Sequence, residues 1–303
     1  MRSRSAWISC VVFVAALVQG CGTLPDTGSF ADASVQLRSA LASSGTAVAG
    51  ELDRAKQEQR ARTLRELWAR VNTAADAMVA YSESVGGIVS AGKAGGESVR
   101  QVADAGAKLA DAAKIVLGPS IPGAVQLLAE AYSKIAEARA ARALDEALQN
   151  MQPAVGRVSE LVALQLDDLH GILVASSELV DIEIEKPYSK EISYLSQLRQ
   201  QRRALYETGP LTAAIGQQLQ QLDAAERTIL AKLEPMQKDR SAAQERLKNA
   251  RALIATARQG VMDWSAAHYQ LLGAVRAGRT VEPRALLQTI TELRDLLKRA
   301  REL

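Results

Sequence analysis

The sequence predicts an all-α protein: an elongated helical bundle with a long antiparallel coiled-coil hairpin. Three observations carry this. Stepping by four and three from Ile215 to Val275 visits eighteen positions, of which only Glu226, Arg240 and His268 are not apolar. A seam held over that length marks a helix laying one stripe against a partner, and at 1.5 Å per residue it would run roughly 95 Å. The chain is 48% hydrophobic but only 4% aromatic, and much of the remainder is alanine, which favours closely approaching helices over a thick core. Beyond the N-terminal region no segment sustains the two-residue alternation of a strand.

The first element is an export signal. Arg2 and Arg4 precede an apolar run from Ala6 to Val18, and small residues lead into Cys21. About 13 apolar residues are too few to cross a hydrocarbon core roughly 30 Å thick. Leu17-Val18-Gln19-Gly20-Cys21 resembles the lipobox of bacterial lipoproteins: Val18 stands three before the cysteine and Gly20 just before it, while Gln19 departs from the usual small residue. The resemblance covers only the first 22 or so residues. It implies removal of residues 1–20 and lipidation of Cys21, with Gly22 favouring the outer membrane over inner-membrane retention. Several acyl chains make a stable anchor where one would not. Of the two cysteines, Cys10 lies in the removed signal, so the mature chain has no thiol left for an internal disulfide. Without Arg2 and Arg4 there are 35 basic against 34 acidic residues, so the chain's basic balance is no argument for nucleic acid.

Residues 21–33 read as the lipidated cysteine and a flexible tether, and 34–303 as one helical domain. Within it, helical hairpins are predicted at about 34–150 and 154–277, with a last helix over 283–303. In the first, Leu64, Leu67, Val71, Ala74, Met78, Tyr81 and Val85 step by three and four. Gly86-Gly87 to Gly95-Gly96 should then loosen the helix. Helices over Val99–Leu117 and Ala124–Asn150 follow, turned by Gly118-Pro119 and Pro122-Gly123, and Gln152-Pro153 separates the two hairpins. In the second, Thr208-Gly209-Pro210 ends one helix and starts the next. Pro187 and Pro235 fall at nearly the same level and predict side-by-side kinks.

Candidate chemistry is sparse. Gly87–Ala94 nearly spells a phosphate-binding loop, but Ala94 stands where the hydroxyl must be and a helical pattern, not a strand, precedes it. Asp167 and His170 share a helix face, yet a di-metal bundle needs a second such pair and two more carboxylates. His268 reads as a polar residue setting register in the seam. With two histidines and a lipidated cysteine no nucleophile–base pair is expected, so catalytic residues, metal and cofactors are all predicted to be none. Glu183, Glu185, Lys186, Lys190 and Glu191 read as a solvated face, as do Arg199, Arg202 and Arg203.

Residues 115–129 carry no charge and bend in the middle. They resemble the membrane-entering heads of α-helical pore-forming toxins, though each arm is too short to span a bilayer. Ile115, Val116, Leu117, Ile121, Val125, Leu127 and Leu128 are the residues expected to meet a partner or a membrane, if the turn is not buried in the bundle. The expectation is a non-enzymatic lipoprotein of the cell envelope. It would be held on the outer membrane by Cys21 and would act as a scaffold or adaptor for envelope proteins, with homo-oligomerisation open and no nucleic-acid partner. The alternatives are a membrane-remodelling or pore-forming protein using 115–129, and a metal-binding or hydrolytic envelope protein.

Overall fold

The computed structural model describes residues 28–90, 96–116, 124–207, 212–277, 279 and 281–302. All regular structure among them is helical: α1 (Gly28–Arg54), α2 (Glu58–Ser90), α3 (Gly96–Val116), α4 (Ala124–Arg139), α5 (Leu144–Glu185), a 3₁₀ turn (Lys186–Tyr188), α6 (Ser189–Glu207), α7 (Ala213–Ala277) and α8 (Arg284–Glu302). The all-α bundle predicted from the sequence is the fold observed. The signal and Cys21 lie outside the described residues.

Four expectations about where helices begin and end need correction. The tether does not reach Ala33: α1 begins at Gly28, and Phe30 and Ala33 are buried, because their apolar side chains start the stripe that continues through Leu37 and Leu41. Gly86 and Gly87 do not interrupt α2, which runs on to Ser90 with Val85, Ile88 and Val89 buried around them; Gly92 to Gly95 lie outside the described residues. Residues 124–150 are not one helix. The break falls at 140–143, and Glu146 reaches back to accept from the Arg142 N–H at 2.9 Å, with Asp145 beside it at the positive end of α5. Pro153 does not separate two halves. Leu148, Met151, Val155 and Val158 keep one buried face across it, so packing outweighs the lost backbone bond.

The seam of α7 faces inward as its spacing predicts. Thirteen of its eighteen positions are buried and the other five, Ile215, Leu219, Leu222, Arg240 and Val275, are half-buried. Against its first half, α6 runs antiparallel. Arg202 of α6 pairs with Asp223 and Arg199 with Glu226 (3.1 Å), so a step back along α6 is matched by a step forward along α7, and the order continues past the 3₁₀ turn to Glu185 at the end of α5, which pairs with Arg240 (2.6 Å). Leu195, Leu198, Ile229, Leu233 and Met236 fill the space between them. Pro235 sits inside the continuous α7, whereas Pro187 lies in the 3₁₀ turn that joins α5 to α6. Pro187 therefore marks a junction between helices rather than a kink within one.

The chain divides into two compact units. One is drawn from residues up to Leu41, Arg70–Gln165 and Arg258–Thr291, the other from Ala42–Ala69, Leu166–Ala257 and Glu292 onward. In the second unit α1 passes close to Trp68, and a Cβ on Gly45 would fall closer than 3.0 Å to Cγ, Cδ1 and Nε1 of that buried ring. Gly50, five residues on in the same helix, has open space where a Cβ would go. Gly50→Ala is therefore expected to stabilise by about 0.5–1 kcal/mol through helix propensity and unfolded-state entropy. Gly45→Ala is expected to destabilise by about 1–3 kcal/mol through overpacking. Urea unfolding of the two variants checks the opposite signs.

Candidate functional site

In the second unit the end of α1, the junction between α5 and α6 and the middle of α7 enclose a cavity of about 350 Å³. That is within the range of small-ligand sites. Its floor is apolar, with Val180 and Ile184 from α5 and Ala243 and Leu247 from α7. Its polar wall is built around Glu51. This carboxylate sits at a position of α1 where the buried stripe through Ser44 and Val48 puts a core residue, and it is only 8% exposed. Arg54 Nη1 donates to Oε1 at 2.5 Å and Arg246 Nε to Oε2 at 3.1 Å. Burial pushes the Glu51 carboxyl above its ordinary pKa, and Arg54 and Arg246 pull against that shift. Perturbed carboxylates in clefts are candidates for function. Glu51 spends one nitrogen of each guanidinium, so both forks keep further N–H donors.

The wall continues into the turn that ends α1. Gln57 N–H donates to the Leu52 carbonyl (2.8 Å) and Lys56 N–H to the Asp53 carbonyl (2.9 Å), a pattern that places Lys56 in the left-handed region at φ 56°. Glycine is the usual occupant of that position, and a side chain there costs on the order of 1 kcal/mol. Lys56 lines the cavity, as do Glu183 and Asp239. The cavity thus offers three cationic and three anionic side chains above an apolar floor.

The first unit holds a different polar cluster, sealed in its core. Trp264, Tyr81 and His268 are buried, with Phe30 stacked on Trp264 at 6.0 Å. Trp264 Nε1 donates to Ser34 Oγ (2.9 Å) and Ser82 Oγ (3.1 Å). Gln152 Nε2 donates to the Ser265 carbonyl, which turns its amide oxygen towards His268 Nδ1 at 2.5 Å. Nδ1 therefore carries the proton, and Nε2 accepts from the Tyr81 hydroxyl at 2.8 Å. Burial lowers the His268 pKa to about 3 and raises that of Tyr81. The ring is neutral, fully partnered and shut away from solvent, which fits a register-setting group.

No protein-family model, characterised protein or solved structure matches the chain.

The residues singled out in the sequence fall as follows. Ile115 is 59% and Val125 83% exposed at the ends of α3 and α4 that flank residues 117–123, and Leu127 and Leu128 are half-buried. Val116 ends α3, while Leu117 and Ile121 lie outside the described residues. The turn itself, and with it the expectation that it is buried in the bundle, lies outside the described residues. Asp167, Asp168 and His170 are exposed on α5. Among the described residues no three His, Cys, Asp or Glu side chains are grouped to hold a metal ion. The solvated-face reading of Glu183 and Glu185 needs correction: Glu183 lines the cavity and Glu185 pairs with Arg240, because the register of α7 brings Asp239 and Arg240 alongside. Arg199 and Arg202 likewise are tied to Glu226 and Asp223.

Sequence reasoning missed Glu51, Lys56 and Arg246. The available signal was Glu51 itself, a charge at a three-four step of an otherwise uncharged stripe (Leu37, Leu41, Ser44, Val48). Nothing local marks Arg246, which lies 195 residues from Glu51.

Proposed function

We propose that the chain is a lipid-anchored helical adaptor of the cell envelope, tethered through Cys21 and engaging a protein partner at the α3–α4 end. The observation that carries the reading is the exposure of Ile115 and Val125 on either side of the uncharged residues 117–123. Apolar side chains gathered at one exposed end are a cost in water that a partner removes.

A protein partner is favoured over membrane entry by the charges just behind that end. Asp111 lies one turn before Ile115 and accepts from Tyr132 at 2.5 Å, and Lys114 is its immediate neighbour. Entry deeper than the first turn would drag these groups into hydrocarbon at several kcal/mol each. No helix among the described residues is long and apolar enough to cross a membrane.

Two experiments test the reading. Cys21→Ser is expected to abolish metabolic labelling with palmitate and to move the protein from the membrane to the soluble fraction. A photo-crosslinking residue at Val125 is expected to give a discrete protein adduct in cells, and the same residue at exposed Asp168 on α5 is not. Retention of the Cys21→Ser protein on membranes, or crosslinking from Val125 to lipid alone, would contradict it.

A further inference from the structure

Two independent features converge on the cavity of the second unit. Lys56 holds a strained backbone conformation whose side chain lines the wall. Glu51 occupies a core position of α1 with a charge, and spends it on orienting Arg54 and Arg246. Neither feature serves stability: glycine would relieve the first and an apolar residue would fill the second. Strain and buried charge kept together at one cavity point to a ligand.

The chemistry of the wall narrows its class. The six charged side chains sum to zero, so no single sign is favoured. Glu51 is already matched by its two arginines. That leaves Lys56 and the unspent guanidinium N–H donors on one side of the balance, and on the other Asp239 together with Glu183, which also pairs at 3.7 Å with the exposed Lys186. Lys56 and Asp239 have no ion-pair partner within the protein among the described residues. A simple anion entering the cavity would meet two carboxylates, and a simple cation would meet three cationic groups. A molecule carrying both charges satisfies both, and Val180, Ile184 and Leu247 offer its body an apolar floor. The volume of about 350 Å³ fits an amino acid or a dipeptide.

We propose that this cavity binds a small zwitterion with an apolar side chain, of amino-acid or dipeptide size. Its carboxylate is held by Lys56 and the Arg54–Arg246 pair, its ammonium by Asp239 and Glu183, and its side chain by the apolar floor.

The test is isothermal titration of the full-length protein in detergent micelles with L-leucyl-L-leucine, its N-acetyl form and its C-terminal amide. The free dipeptide is expected to bind saturably with one site per chain, and blocking either terminus to weaken binding at least roughly tenfold, since each removes one charge-assisted contact. Lys56→Gly separates the ligand role from a structural one. It is expected to raise the melting temperature, because glycine suits the turn, and at the same time to weaken dipeptide binding at least roughly tenfold. Absence of saturable binding at millimolar dipeptide, equal binding of the blocked and free forms, or unchanged affinity in Lys56→Gly would each overturn the proposal.

Discussion

Trp264→Ala will lower the free energy of unfolding by about 3–5 kcal/mol, the range for emptying a fully buried tryptophan site. Two losses combine there. The indole is 0% exposed and touches Phe30 and Tyr81 in the core of the first unit. Its N–H is the shared donor to Ser34 and Ser82, whose hydroxyls are themselves buried. Each serine still has a carbonyl one turn back, Phe30 for Ser34 and Met78 for Ser82, both at 2.8 Å, so the hydroxyls are not fully orphaned. The cavity accounts for most of the effect. Trp264→Phe keeps an aromatic body and loses the donor, and is expected to cost about 1–2 kcal/mol. Urea unfolding monitored by circular dichroism, which does not depend on tryptophan fluorescence, checks both values.

The second large effect is a loss of stability in acid that belongs to one residue. Burial holds the folded-state pKa of His268 down to about 3, against an ordinary value of 6.5 in the unfolded chain. Above pH 6.5 both states leave the ring neutral and it contributes no pH dependence. Between 6.5 and 3 the unfolded chain takes up a proton that the folded core refuses, so stability falls as pH falls. The slope inside this window approaches about 1.4 kcal/mol per pH unit, and it flattens below the folded pKa. Carboxylates add their own losses at the lower end. The informative quantity is therefore the difference between the parent protein and His268→Gln, measured by urea unfolding at several pH values from 7 to 4. The variant is expected to lose stability less steeply; identical slopes would show that His268 does not titrate against the fold.

How much of this was legible depended on how far apart in sequence the relevant residues lie. The α7 seam was legible because periodicity is local: its three polar positions stood out against fifteen apolar ones. What those three residues do was not. Arg199, which partners Glu226, lies 27 residues away, Asp181 lies 59 from Arg240, and Tyr81 lies 187 from His268. The break between α4 and α5 was missed because 139–143 reads Arg-Ala-Ala-Arg-Ala, all good helix formers, and the cue was the acidic pair Asp145-Glu146 that starts the next helix. Pro153 misled in the opposite sense, since a helix with a well-buried face tolerates one proline. The cavity was the least legible feature. It requires the end of α1 to meet the α5–α6 junction and the middle of α7, a juxtaposition no local pattern encodes. The uncharged run between the charged flanks of α3 and α4 was visible in the sequence, but the exposure of Ile115 and Val125 beside it was not.

On the function proposed, lipid on Cys21 is the protein's membrane contact and its helical body serves protein partners. Liposome flotation of the mature chain carrying Cys21→Ser tests it most directly. The protein is expected to stay in the dense fraction with neutral and with anionic vesicles alike. Flotation without the acyl chains, abolished by Val125→Asp, would contradict the adaptor reading and make the α3–α4 end a membrane-binding element.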